Sequence, residues 1–159
     1  MNLDSLYKIF AEKNLLVTTD TRTMKAGDIF FAIKGDNFDG NTFAIEALEK
    51  GASFVVSENR DMPMDDRCLL VDDSLKALQE FASIHREHLD IPIVAITGSN
   101  GKTTTKELTR VVLEKKYKVC ASPASFNNHI GVPLTLLSIK PKHELAVLEM
   151  GDNHEGEIA

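Results

Sequence analysis

The stretch Ile93-Val94-Ala95-Ile96-Thr97-Gly98-Ser99-Asn100-Gly101-Lys102-Thr103-Thr104 constrains the fold more than any other part of the chain. A continuous run of apolar residues, of the kind buried on both faces of a parallel sheet, passes straight into a glycine-punctuated turn. Residues 102–115 then have helical composition. Strand, tight turn and helix in that order form the context a phosphate-binding loop requires. Glycines let the backbone aim its N–H groups at one point, and the helix N-terminus adds partial positive charge. Lys102 supplies a mobile ammonium and the Thr103 hydroxyl can enter a magnesium shell. The longer pattern G-x-x-x-x-G-K-[ST] is not met, because Ile96 stands where its first glycine belongs. The competing reading is a tight turn that carries a surface lysine.

Elsewhere, helical and extended periodicities alternate, which predicts an α/β fold. Leu3, Leu6, Tyr7 and Phe10 recur at helical spacing, and residues 28–33 read as a short buried strand followed by a glycine-rich polar loop. Asn41 or Thr42 can cap a helix carrying Phe43, Ala44, Ala47 and Leu48, which Gly51 can close in the left-handed conformation. Strands are expected over 53–57 and 68–71, then a helix opened by Asp73 or Ser74 that places Leu75, Leu78, Phe81 and Ala82 on one face and ends near Leu89. Ile91-Pro92 marks a break. Beyond the phosphate-loop candidate, residues 117–121 and 144–150 read as strands and 132–139 as a short apolar segment. The expectation is a small α/β domain over 1–90, then over 91–159 the first part of a P-loop-type parallel-sheet domain. Three strand candidates are few for that second fold, and it reads as truncated.

Composition narrows the function. The net charge of -6 is spread along the chain with acidic and basic residues mixed, which argues against a nucleic-acid footprint. Cys68 and Cys120 form neither a closely spaced pair nor a Cys/His cluster, so a reducing, cytoplasmic setting fits. No apolar run approaches the roughly 20 residues that span a bilayer, so membrane insertion is not expected. His85, His88 and His143 lie in polar contexts and read as solvated.

The short loop T-G-x-N-G-K-T resembles the ATP loop of the Mur ligases, and three further segments carry the same resemblance. Asp20-Thr21-Arg22, Ala26-Gly27-Asp28 through Lys34-Gly35, and Asp39-Gly40-Asn41 look like the UDP-binding N-terminal domain of the MurE and MurF branches, with Thr21 and Asn41 in place of the usual Ser and His. Phe126-Asn127-Asn128-His129-Ile130-Gly131-Val132-Pro133 and Glu149-Met150-Gly151, continuing through His154 to Gly156-Glu157-Ile158, are similar to signatures of the MurF branch. The resemblance implies that Gly98, Ser99, Asn100, Gly101, Lys102, Thr103 and Thr104 wrap the phosphates of ATP. It further implies that Thr103 and Glu149 hold magnesium, and that Lys102, Asn128 and His154 serve catalysis. Thr21, Arg22, Lys34, Gly35, Asn41, Asn127 and Asn128 would bind a UDP-muramoyl tripeptide.

The implied activity is peptidoglycan synthesis by amide ligation. A carboxylate is phosphorylated by ATP and the resulting acyl phosphate is attacked by the amine of D-alanyl-D-alanine, which the family receives in a C-terminal domain. Without the resemblance, the reading of Arg22 as a surface ion pair would prevail, and Asn127 and Asn128 are equally turn amides capping the next helix. A lone His154 at a helix start is ordinarily capping or exposed. Two alternatives stay open at this point: a MurE-type ligase adding the third amino acid, and a non-catalytic stub that binds a nucleotide or UDP-sugar.

Overall fold

A computed structural model of the chain describes residues 1–35, 38–63, 65–124 and 126–151. The chain divides into two compact units, Met1–Ile84 and His85–Ala159.

The first unit opens with α1 (Leu3–Lys13), started by Asn2, whose side chain accepts from Ser5 N, and ended by Asn14 in the left-handed conformation. There follow β1 (Val17–Thr18), β2 (Ile29–Phe31), β3 (Lys34–Gly35), β4 (Phe38–Asp39), a 3-10 turn (Gly40–Phe43) and α2 (Ala44–Glu49). β5 (Phe54–Ser57), β6 (Cys68–Leu70) and most of α3 (Ser74–Glu87) complete it. β1, β2, β5 and β6 lie in that order in one sheet, all neighbours parallel. The predicted polar loop after β2 contains an antiparallel hairpin instead, with Lys34 paired to Asp39 and Gly35 to Phe38.

One helix start differs from expectation and another agrees with it. Asp39, not Asn41 or Thr42, caps the turn before α2, its carboxylate accepting from Asn41 N at 2.9 Å. Asp73 caps α3 through Lys76 N, while the fully buried Ser74 donates its hydroxyl to Ala32 O at 2.8 Å and so ties α3 to the end of β2. The core is aromatic. Phe81 of α3 stands with its ring centroid 5.3 Å from Phe10, 5.6 Å from Phe31 and 5.8 Å from Tyr7, spacings at which tilted and edge-to-face rings attract.

The second unit reads β7 (Ile93–Ile96), α4 (Lys102–Leu113), β8 (Val119–Ala121), α5 (Gly131–Leu137) and β9 (Leu145–Glu149). Its sheet is parallel in the order β7-β9-β8, so the last strand in sequence is the middle one. Every residue of β9 is buried, the apolar run Leu145 to Leu148 as a strand covered on both faces requires and Glu149 in spite of its charge. β7 departs from the expectation of burial on both faces: its residues are half-buried or, at Ala95, exposed. Within this sheet β7 is an edge strand, and an edge has a neighbour on one side only. His85 also departs from the sequence reading. It is buried rather than solvated, and its Nε2 donates to Ile139 O at 3.1 Å. His143 accepts from Lys140 N through Nδ1, half-buried, while His88 is exposed as expected.

Candidate functional site

The turn between β7 and α4 depends on two glycines with positive φ, Gly98 at 140° and Gly101 at 76°. A Cβ at either would meet nothing within 4 Å, so the demand is on backbone conformation, which other residues meet only with strain. Gly101 caps α4 without any side-chain acceptor. The first-turn N–H groups of α4 therefore keep their partial positive charge for an anion arriving from outside. Lys102, the first residue of the helix, folds back so that Nζ donates to Gly98 O at 2.6 Å.

Ser99, Asn100, Gly101, Lys102, Thr103 and Thr104 line an open cleft of about 400 Å³, and Asn127 and Glu149 complete its wall. Glu149 is the last residue of β9, only 1% exposed. Its backbone N–H donates to Ser122 Oγ at 3.0 Å, and its Oε1 accepts from Asn127 Nδ2 at 2.8 Å. Its Oε2 is buried and accepts no hydrogen bond from any described residue. A buried carboxylate oxygen without a hydrogen bond is costly; the Lys106 ammonium 3.9 Å away offsets part of that cost, and a cation bound directly to the oxygen would offset more. No group of three or more His, Cys, Asp and Glu side chains is arranged for a metal among the described residues. Magnesium suits so sparse a protein set, since it keeps several waters and takes phosphate oxygens as ligands. Glu149 and the Thr103 hydroxyl on the same cleft fit that ion.

Asn128 does not line the cleft. Its Oδ1 accepts from Ile130 N at 3.2 Å and Gly131 N at 2.8 Å, the geometry of a turn amide that opens α5. His154 lies outside the described residues.

A second cleft, in the first unit, measures about 370 Å³ and is lined by Lys34, Asp39, Asn41, Thr42, Glu58 and Asn59. The Asn41 amide is fixed on both sides: Oδ1 accepts from Ser57 Oγ at 2.7 Å and Glu58 N at 2.9 Å, and Nδ2 donates to Asp39 Oδ1 at 2.7 Å. Those Asn41 donors hold the Asp39 carboxyl below its usual range, with Lys34 adding to the effect. Gly35 pairs with Phe38 in the hairpin beside this cleft. Thr21 and Arg22 are not on its wall. Thr21 is buried, its carbonyl accepting from Lys50 Nζ at 2.9 Å. Arg22 is exposed and forked onto Asp20, Nε and Nη2 both donating to the carboxylate. The Arg22 bonds pull the Asp20 pKa from 3.8 to about 2.

Sequence reasoning missed Lys106, Glu58 and Asn59. Lys106 is wholly buried beside Glu149. The available signal was its place one helical turn after Lys102, on the same face of α4.

Comparison with known proteins places both parts of the chain in one family. The family model described as Mur ligase family, catalytic domain, matches residues 16–86, and that of the Mur ligase middle domain matches residues 96–159. The UDP-N-acetylmuramoyl-tripeptide–D-alanyl-D-alanine ligase of Bacillus subtilis is 42% identical over 144 residues, which cover 89% of this chain and 32% of that protein. The ligase of the same name from Escherichia coli is 41% identical over 143 residues, covering 90% of this chain and 31% of its own length. Among solved structures, the MurF ligase of Thermotoga maritima in complex with ADP superposes with a TM-score of 0.80 at 35% identity, over 91% of this chain and 34% of that one. MurF from Acinetobacter baumannii gives a TM-score of 0.78 at 35% identity, over 88% of this chain and 31% of that one. The chain spans about a third of the length of the curated relatives it matches.

Proposed function

Because this chain belongs to the Mur ligase family, we propose that it supplies the UDP-sugar-binding and ATP-binding parts of a MurF-type ligase. That enzyme joins D-alanyl-D-alanine to a UDP-N-acetylmuramoyl tripeptide in peptidoglycan biosynthesis. One observation carries the reading: the glycine turn, Lys102, Thr103 and the carboxylate of Glu149, whose Oε2 accepts no hydrogen bond from the described residues, line a single cleft.

In that cleft the N–H groups of the α4 first turn and the Lys102 ammonium hold the phosphates of ATP. To do so, Lys102 exchanges its bond with Gly98 O for one with phosphate oxygen. Thr103 and Glu149 hold magnesium, which when bound neutralises phosphate charge. The substrate carboxylate and ATP are both anionic, so the residues act by positioning and by charge compensation. The γ-phosphoryl group passes to the carboxylate, giving an acyl phosphate and ADP. The amine of D-alanyl-D-alanine then displaces phosphate to form the amide. In the first unit, the cleft around Lys34 and Asn41 receives the UDP-muramoyl end, and Thr21 and Arg22, which do not line it, are assigned to that substrate on family resemblance alone. Asn128, held as a turn amide, and His154 are assigned to the reacting end on family resemblance alone. A cytoplasmic setting follows from the nucleotide substrates and agrees with two free cysteines. Among the described residues no helix is long and apolar enough to cross a membrane.

The test is phosphate release by the full-length protein with ATP, UDP-muramoyl tripeptide and D-alanyl-D-alanine. Release should require all three, and Lys102→Ala should lower it by roughly 100-fold or more. Unchanged ATP affinity and turnover in Lys102→Ala would overturn the nucleotide assignment. Turnover of a UDP-muramoyl dipeptide with a diamino acid, in place of the tripeptide with D-alanyl-D-alanine, would indicate the branch that adds the third residue. The 159-residue chain assayed alone is expected to release no phosphate.

A further inference from the structure

Lys106 is 0% exposed, and lysine is almost never fully buried unless paired. Its Nζ donates to Ser122 O at 2.7 Å and to Ala124 O at 2.9 Å, and it ion-pairs with Glu107 Oε1 at 3.2 Å. An ammonium has three protons, and these partners engage all of them. Glu149 Oε2 stands 3.9 Å from the same nitrogen, close enough to feel its charge and beyond hydrogen-bond reach. The two carbonyls belong to the segment that follows β8 and leads to Asn127, the residue that holds the other oxygen of Glu149. Lys106 therefore ties the helix bearing Lys102 and Thr103 to the segment that orients the carboxylate. On its other side Glu107 is itself held, its Oε2 accepting from Arg110 Nε at 2.9 Å, and Arg110 is bonded in turn to Glu114.

We propose that Lys106 is a positioning residue for a divalent cation at Glu149, and that Glu107 engages its third proton so that Glu149 Oε2 stays open to the cation. The proposal rests on the reading of Glu149 as the metal carboxylate. Without Glu107, a swing of the lysine head brings a proton onto Oε2 and sets ammonium and metal in competition for one oxygen. Without Lys106, two buried carbonyls lose their donor, and the segment holding Asn127 slackens.

Manganese(II) is the probe, its free concentration read by electron paramagnetic resonance in titrations of the full-length protein with ADP, with thermal unfolding recorded in parallel. Glu149→Gln should weaken manganese binding roughly tenfold or more, as loss of a ligand or its support does. Glu107 is partly exposed, so Glu107→Ala should fold normally and weaken manganese several-fold. Glu114→Ala removes the same charge from the end of the same helix and should leave affinity unchanged. Lys106→Met should weaken binding in the wild-type background and add nothing in a Glu149→Gln background.

Unchanged manganese affinity in Glu107→Ala, or an equal loss in Glu114→Ala, overturns the inference while a strong Glu149→Gln effect leaves the metal reading standing. Manganese affinity indifferent to Glu149→Gln overturns both. A Lys106→Met protein that is less heat-stable yet binds manganese normally shows a purely structural lysine and also overturns the inference. Should that variant fail to fold, the comparison of Glu107→Ala with Glu114→Ala decides.

Discussion

Ile96 of β7 and Glu149 of β9 are register partners in a parallel pair, so the last strand residue before the phosphate-loop turn lies beside the carboxylate that closes the same cleft. Both strands run the same way and end on the same edge of the sheet, where ligands of open parallel sheets gather. The pairing continues one residue further, with Met150 N donating to Ile96 O at 2.9 Å. Gly151 N then donates to Asn127 O at 2.6 Å, which brings the Asn127 amide over Glu149.

Gly151 is consequently a sensitive position. A Cβ there would sit 2.7 Å from Asn127 O and 3.4 Å from Asn127 Cγ, with backbone as the nearer obstacle. Gly151→Ala should destabilise the second unit by about 1–3 kcal/mol through overpacking. It should also weaken ADP or manganese binding, because Asn127 carries Glu149 Oε1. Urea unfolding and an ADP titration read the two effects. Wild-type values in both would mean that the contact relaxes freely.

Asp20 offers a direct electrostatic check. Its carboxyl, at about 2 against an ordinary 3.8, is depressed first by the Arg22 side-chain bonds and next by the Arg22 backbone N–H. A depressed acid contributes stability above its unfolded value and loses it as the pH falls from 3.8 toward 2. Arg22 is 86% exposed, so the contribution to folding is small and salt-screened, and the titration itself is the better readout. The carboxyl carbon resonance of Asp20 should titrate near 2 and move back up in Arg22→Ala. A wild-type midpoint at 3.8 would show that the fork is not held in solution.

His85 sets a pH dependence of opposite origin. Burial lowers its pKa below 6.5, and the nearby charges of Lys140 and His88 add to that, although the bond with Ile139 O works the other way. The unfolded chain therefore binds the proton more readily, and stability from this residue is lost as the pH falls through about 6.5. Urea midpoints should decline between pH 7.5 and 5.5, and His85→Gln should flatten that decline. An equally steep decline in the variant would assign it to other groups.

Phe81 is the residue on which the first core converges, touching Tyr7, Phe10 and Phe31 from α3 with no exposed surface. Phe81→Ala should cost about 3–5 kcal/mol, the usual price of a large core cavity. A loss below 1 kcal/mol in chemical unfolding would mean that α3 collapses into the space.

The alternation of helix and strand, the glycine turn before Lys102 and the apolar run ending at Glu149 were all legible in the order of residues. Periodicity, capping and backbone freedom act over a few residues, so a linear reading captures them. The strand order β7-β9-β8, the hairpin at Lys34–Gly35, the burial of His85 and the capture of Asn41 by Ser57 and Glu58 belong to tertiary structure. So does the orphaned oxygen of Glu149 beside a buried Lys106. Each depends on partners many residues away, and whether a polar group is solvated or walled in is decided only when those partners arrive.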